Sequence, residues 1–262
     1  MKWSFDNLGS RLFVVGSDYV FPRAAGEIIR DQVRALRGEV VGEAYVPLGG
    51  DRFDEIVGEI VRLQPDVVLN TVNGDSNVAL FAALRRAGVT PDTIPVISFS
   101  IAEDELRSLD AGQMVGDYAA WNYFQSIDSD ENRRFVQAFR ERYGADRVTD
   151  DPMEAAWFGV QLWAQTVREI GTDEVAAVRR AIGGQTFGAP EGIVSVDPSN
   201  LHTWKTVRIG RIRADGQFDV VWSSKNPIRP VPYPVYRDEA EWDRFLSELH
   251  DRWGGWANPG AP

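Results

Sequence analysis

From Leu12 to Trp121 the chain alternates short apolar runs with longer segments whose apolar residues recur every three or four positions. Such a rhythm is the mark of strands alternating with amphipathic helices. Runs at 12–15, 40–45, 67–69 and 95–97, with a fifth at 114–121, predict five strands. Between them, Ala24, Ile28, Ile29 and Val33 fall on one helical face, as do Phe53, Ile56, Val57, Ile60 and Val61, and then Val78, Leu80, Phe81 and Leu84. Strand–helix–strand repeats of this kind predict an α/β fold around a parallel sheet.

The rhythm then breaks. Three helices are expected in succession, at 130–142, 152–170 and 173–182. The middle one carries a start signal, with Asp151 as N-cap, Pro152 at N1 and Glu154 at N3. Strand-like patterning follows at 192–196, and Ala214-Asp215-Gly216 predicts a hairpin. Ile212 is out of phase with Val207 and Ile209, so a bulge is expected at Gly210. Pro227, Pro230, Pro232 and Pro234 punctuate an extended segment. A last helix starts near Asp238, with Glu241 as its capping partner and Trp242, Phe245, Leu246, Leu249 and Trp253 in one stripe.

Composition narrows the function. The 262 residues carry 28 Lys and Arg against 39 Asp and Glu, a formal charge of −11. That is the wrong sign for coating a phosphate backbone, so no nucleic-acid partner is expected. Without cysteine there is neither a disulfide framework nor a thiolate nucleophile. Residues 1–9 lack the apolar run of a signal peptide, and no stretch has the length of a membrane span. Asp128-Ser129-Asp130 opens like a calcium loop, but Arg133 stands where glycine is required and Phe139 where a bidentate Glu belongs. Neither a nucleophile elbow, a phosphate-cradling loop nor a dinucleotide fingerprint occurs. The pairs Asp104-Glu105 and Asp150-Asp151 suit helix N-termini, and His202 and His250 have no catalytic partner nearby in sequence. These exclusions predict a protein that is not an enzyme and holds no metal or cofactor.

An open parallel sheet offers its ligand crevice at the carboxyl ends of the strands, where strand order reverses. In a flavodoxin-like order 2-1-3-4-5 the loops facing it are 17–22, 71–77 and 98–103. They supply Tyr19, Asn73, Asp75, Ser100 and Glu103 without a cluster of positive charge, which suits a small neutral polar molecule. Simpler roles are also open. Asp18 and Asp75 suit helix caps, Asn73-Gly74 a turn, and Tyr19 and Phe21 a cover for the sheet edge.

At these same loops the sequence resembles the type I periplasmic binding proteins of the amide and urea group, the substrate-binding components of ABC transporters. The matching segments are 16–23, 70–77, 119–126, 147–156, 189–192, 207–216 and 253–255. The resemblance implies two lobes that close on a ligand, urea or a short amide, and deliver it to a membrane permease. For such a ligand Tyr19, Asn73, Asp75, Ser100 and Glu103 are the expected contacts, with Trp121 as a flat apolar wall, and the resemblance implies that the protein acts in the periplasm or another extracytoplasmic space. Family chains carry a signal peptide and a whole first βα series before the position of Leu12. By that comparison, 1–9 is the end of a first-lobe helix closed by Gly9, and 10–148 with 205–222 form the second lobe. Residues 149–204 are a return segment of an incomplete first lobe, and 223–262 are a Pro-rich tail with a terminal amphipathic helix. Such a chain is expected to bind weakly alone. It would also leave part of the 152–170 helix in water, to be covered by self-association or a separately encoded first lobe. The alternative reading is an amide-sensing regulatory protein of the same fold.

Overall fold

A computed structural model of the protein describes residues 1–109 and 111–259. They form two compact units: Met1–Ile101 with Ser108–Ala119 and the described residues from Tyr233 onward, and Ala102–Arg107 with Ala120–Pro232.

The first unit opens with α1 (Lys2–Asn7), which ends at Leu8 and Gly9. Gly9 has φ +139°, and a Cβ there would lie 2.4 Å from the side chain of Asp66. That carboxylate is fixed in place by accepting the N–H groups of Ser10 and Arg11, each at 2.8 Å. Then come β1 (Arg11–Ser17), α2 (Val20–Ala35), β2 (Glu39–Val46), α3 (Asp54–Leu63), β3 (Val67–Thr71), α4 (Ser76–Arg86) and β4 (Val96–Ser98). After α5 (Glu103–Ser108) and α6 (Ala111–Met114), β5 (Tyr118–Trp121) completes the parallel series in the order β2-β1-β3-β4-β5. This is the α/β architecture and strand order expected. Residues 12–15 and 67–69 are fully buried, which is why these strands read as unbroken apolar runs.

The fifth strand is shorter than the 114–121 run suggested. Met114 closes α6, Gly116 turns the chain at φ +101°, and only then does the strand begin. The buried Asp117 carboxylate anchors that turn by accepting the Val96 N–H at 2.9 Å and pairing with Arg85. Burial is the main reason its pKa rises to about 6.

In the second unit lie α7 (Asp130–Tyr143), α8 (Asp151–Ile170) and α9 (Val175–Ala181). The antiparallel sheet β6-β7-β8 comprises Thr186–Ala189, Gly192–Val196 and Thr203–Trp204. Ser129 caps α7 by accepting the Asn132 N–H, so the Asp128 segment is a helix start. The cap of α8 is Asp150, one residue earlier than expected, with its side chain on the Met153 N–H at 2.9 Å. Asp151 is displaced from capping because its Oδ1 accepts the N–H groups of Asn122 and Tyr123, at 3.0 and 2.8 Å. Phe158 and Leu162 of α8 pack on Ala189, Val194 and Val196, while Val160 and Trp163 are 60% and 46% exposed.

The hairpin forms as expected from β9 (Arg208–Ile212) and β10 (Phe218–Ser223), but the extra residue is Val221 on β10, not Gly210. Gly210 answers a different need. A Cβ there would meet Phe124 at 2.7 Å and Phe218 at 2.9 Å, two rings packed 4.6 Å apart. The chain returns to the first unit with α10 (Glu239–Trp253), whose Asp238–Glu241 capping box is formed and whose Trp242 and Leu249 are buried. Among the described residues no helix is long and apolar enough to cross a membrane.

Candidate ligand-binding site

In the first unit β1 lies between β2 and β3, so the strand order reverses beside it. The carboxyl ends of these strands and of β4 feed loops that share one edge of the sheet. They are tied to one another: Asp18 N–H donates to Val46 O at 2.6 Å, Asn73 N–H to Ser17 Oγ at 3.0 Å, and Phe99 N–H to Asn70 O at 2.9 Å. Gly16 permits the close approach, since a Cβ there would sit 2.4 Å from Thr71 Oγ1.

Beneath the loops is a buried neutral network. Asn70 Nδ2 donates to Asn77 Oδ1 at 2.9 Å and to Ser98 Oγ at 3.1 Å, while its Oδ1 accepts the Val72 N–H at 2.9 Å. Asn77 Nδ2 donates to Val72 O and Gly74 O, at 2.9 and 3.2 Å. Sequence reading passed over these residues. Their signal was an asparagine and a threonine closing the otherwise apolar strand 67–71, since a buried amide must find partners.

Four of the expected ligand residues lie on loops of the first unit, of which Asn73 and Asp75 share a cavity lining that Tyr19 and Ser100 do not join. Tyr19 is half-buried at the N-cap of α2, its ring 6.1 Å from that of Phe21, and burial raises its pKa. Asn73 uses its Nδ2 on Thr71 O at 3.0 Å, and its Oδ1 accepts no hydrogen bond among the described residues. Ser100 donates its hydroxyl proton to Val72 O, which leaves its oxygen able to accept. Asp75 is exposed and makes no side-chain cap on α4. Asn73 and Asp75 line a cavity of about 520 Å³ bounded by 48–51 and 73–76, with Asp51 on the opposite loop and no basic residue in the lining. Arg23 lies on the same α2 turn as Tyr19, and its charge is taken by Asp18 at 2.7 Å.

Glu103 and Trp121 belong to the second unit. Glu103 is fully buried; its Oε1 accepts the Gln125 N–H at 2.7 Å, and its Oε2 has no hydrogen-bond partner among the described residues. Burial, reinforced by the charges of Asp150 and Asp151, pushes its pKa up to about 8. Trp121 is half-buried on β5.

The second unit also buries a charged cluster that sequence reading did not assemble. Lys205 Nζ is 2.9 Å from Glu191, 3.6 Å from Asp151 and 4.0 Å from Glu154, and 5.1 Å from the Phe158 ring centre. Burial pulls the lysine pKa down, but the surrounding carboxylates outweigh it and hold the ammonium above its usual range. Burial and Glu191 push Glu154 the other way for an acid, toward the protonated form. Arg208 donates to Glu191 O at 2.6 Å and to Asn122 O. Among the described residues there is no cluster of His, Cys, Asp and Glu arranged to hold a metal.

Residues 1–239 match the family described as periplasmic binding protein domain. The chain belongs to the periplasmic binding protein family. Its fold is shared with solved ABC-transporter binding proteins, among them a solute-binding protein of Rhodopseudomonas palustris HaA2 in complex with p-hydroxybenzoic acid. That structure superimposes with a TM-score of 0.78 at 20% identity, covering 87% of this chain and 63% of the other. Among curated proteins, one named Leu/Ile/Val-binding protein homolog 6 of Brucella melitensis is 25% identical over 179 residues, 67% of this chain and 46% of that protein. A protein of Geobacillus stearothermophilus named limonene hydroxylase is 38% identical over 117 residues, 45% of this chain and 21% of that one. The chain thus spans half or less of the length of these curated relatives.

Proposed function

We propose that this chain is the ligand-capturing part of an ABC-transporter substrate-binding protein, acting without catalysis, and that its ligand is urea or a short amide. The observation that carries the ligand class is the balance of the first-unit rim. Asn73 Oδ1, the Ser100 lone pairs and the Asp75 carboxylate are acceptors, and the Tyr19 hydroxyl adds one group able to donate. Urea and short amides present the complement, several N–H donors and one carbonyl. An aromatic carboxylate such as the one bound by the Rhodopseudomonas relative calls for a charge-assisted donor. Here the cavity is lined by Asp51 and Asp75, and Arg23 is already neutralised. In this reading a membrane permease receives the ligand, and the protein works outside the cytoplasm.

Each buried hydrogen bond left unmade costs about 1–3 kcal/mol, so a single rim acceptor is worth roughly tenfold in affinity. Ser100→Ala and Tyr19→Phe are each expected to weaken acetamide binding about tenfold in an NMR titration, with the fold unchanged. Wild-type affinity in both variants would overturn the assignment of the rim.

A further inference from the structure

The chain segment 256–258 is laid along the loop that carries Tyr19. Trp256 O accepts the Val20 N–H at 2.8 Å, Asn258 N–H donates to Asp18 O at 2.9 Å, and Tyr19 pairs with Ala257 in an isolated antiparallel bridge. Asn258 Nδ2 donates to Asp18 Oδ2 at 2.6 Å, while Asp18 Oδ1 holds Arg23. Asp18 is only 5% exposed, so both of its oxygens depend on these partners. The segment is anchored from behind. Gly254, in the left-handed region at φ +66°, turns the chain out of α10, and Arg237 just before that helix pairs with Glu27 and Asp31 of α2.

This arrangement answers a question posed by α2. The first N–H groups of a helix have no partner within it, and Ser, Thr, Asp or Asn at the N-cap normally supplies one. Here the N-cap is Tyr19, a residue that makes no side-chain cap bond. Another of these orphan groups, the N–H of Val20 at the first helical position, is satisfied by Trp256 O from the far end of the chain. The tail thus supplies an acceptor at a helix start whose N-cap residue carries a phenol at the crevice. The match to the family covers residues 1–239, so all of α10 beyond its first residue and the segment after it lie outside it.

We propose that 256–258 is a strap that positions Tyr19 for ligand, with Asn258 acting as a positioning residue through Asp18. The proposal rests on the rim reading above for its effect on affinity, but not for its effect on the loop. Asn258→Asp sets two carboxylates against each other. The exchange Asp18→Asn with Asn258→Asp restores a donor facing an acceptor.

The test is hydrogen exchange at the Tyr19 and Val20 amides, together with NMR titration of acetamide into the full chain. Asn258→Asp is expected to speed exchange at both amides and weaken acetamide binding, each about tenfold. The double exchange is expected to recover both, and the unfolding midpoint should move little because α10 remains packed. Unchanged exchange in Asn258→Asp would overturn the strap. Faster exchange with unchanged acetamide affinity would overturn its positioning role. If the wild-type chain binds no acetamide, the ligand reading fails, and the exchange rates alone decide whether the strap holds the loop.

Discussion

In the first unit, Asn70, Asn77 and Ser98 are buried beneath the strand ends with every amide hydrogen bond placed on a neutral partner. In the second, the ionisable side chains of Glu154 and Glu191 are buried as deeply beside Asp151 and the partly buried Lys205, and Glu154 Oε2 and Glu191 Oε1 have no hydrogen-bond partner among the described residues. Burial raises the cost of leaving a polar group unpartnered, but a neutral amide can be fully satisfied by backbone and hydroxyl groups. Three carboxylates around one ammonium cannot. Part of that mismatch is relieved by protonation, which is the direction in which Glu154 and Glu191 are shifted. The difference separates a rigid floor indifferent to pH, beneath the proposed ligand rim, from an interior that answers to pH.

The largest effect should come from removing the one lysine among those carboxylates. Lys205→Met removes the ammonium nearest them, leaving Arg208 as the remaining positive neighbour, and is expected to cost about 3–5 kcal/mol, read by guanidinium unfolding near neutral pH. A loss under 1 kcal/mol, on the order of an exposed ion pair, would show that the cluster is not held together by that charge. Next comes the neutral floor. Asn70→Ala strands the Val72 N–H together with Asn77 and Ser98, and about 1–3 kcal/mol should be lost, by the same amount at pH 5 and pH 8. A loss that varies strongly with pH would erase the contrast.

The third effect is a slope. Glu103 has its folded pKa raised from the ordinary 4.5 to about 8, so between those values the folded state holds a proton that the unfolded state has released. Stability from this group is therefore fully present below 4.5 and falls as pH climbs toward 8. Glu103→Gln should flatten that fall, leaving stability near pH 5 little changed and raising it near pH 8 relative to the parent. Parallel pH profiles for parent and variant would show that the carboxyl does not carry the shift.

Much of the first unit was legible because its central strands β1, β3 and β4 are buried on both faces and its helices on one, so periodicity alone separates them. The observed strand order is the flavodoxin-like order expected of such a parallel sheet, and the strand-end loops proposed as the rim follow from it. What escaped depends on contacts between distant positions. Asp117 reads as part of an apolar run until Arg85 and the Val96 N–H show why it ends a turn. Asp151 looks like a cap until the Asn122 and Tyr123 amides claim it, and the capping falls to Asp150. Lys205 gathers residues 151, 154 and 191, a set no local pattern announces. The bulge was placed on the wrong strand because phase along β9 alone cannot say which partner carries the extra residue.

The central claim is that the first-unit rim binds a neutral N–H-rich ligand. The most direct measurement is a backbone-amide NMR titration of the 262-residue chain with acetamide, urea, L-leucine and 4-hydroxybenzoate in parallel. Saturable shifts for acetamide and urea, confined to 17–22, 72–76 and 98–101 and absent with 4-hydroxybenzoate, are the predicted result. Saturable binding of 4-hydroxybenzoate or leucine at those amides with none for acetamide or urea would contradict it.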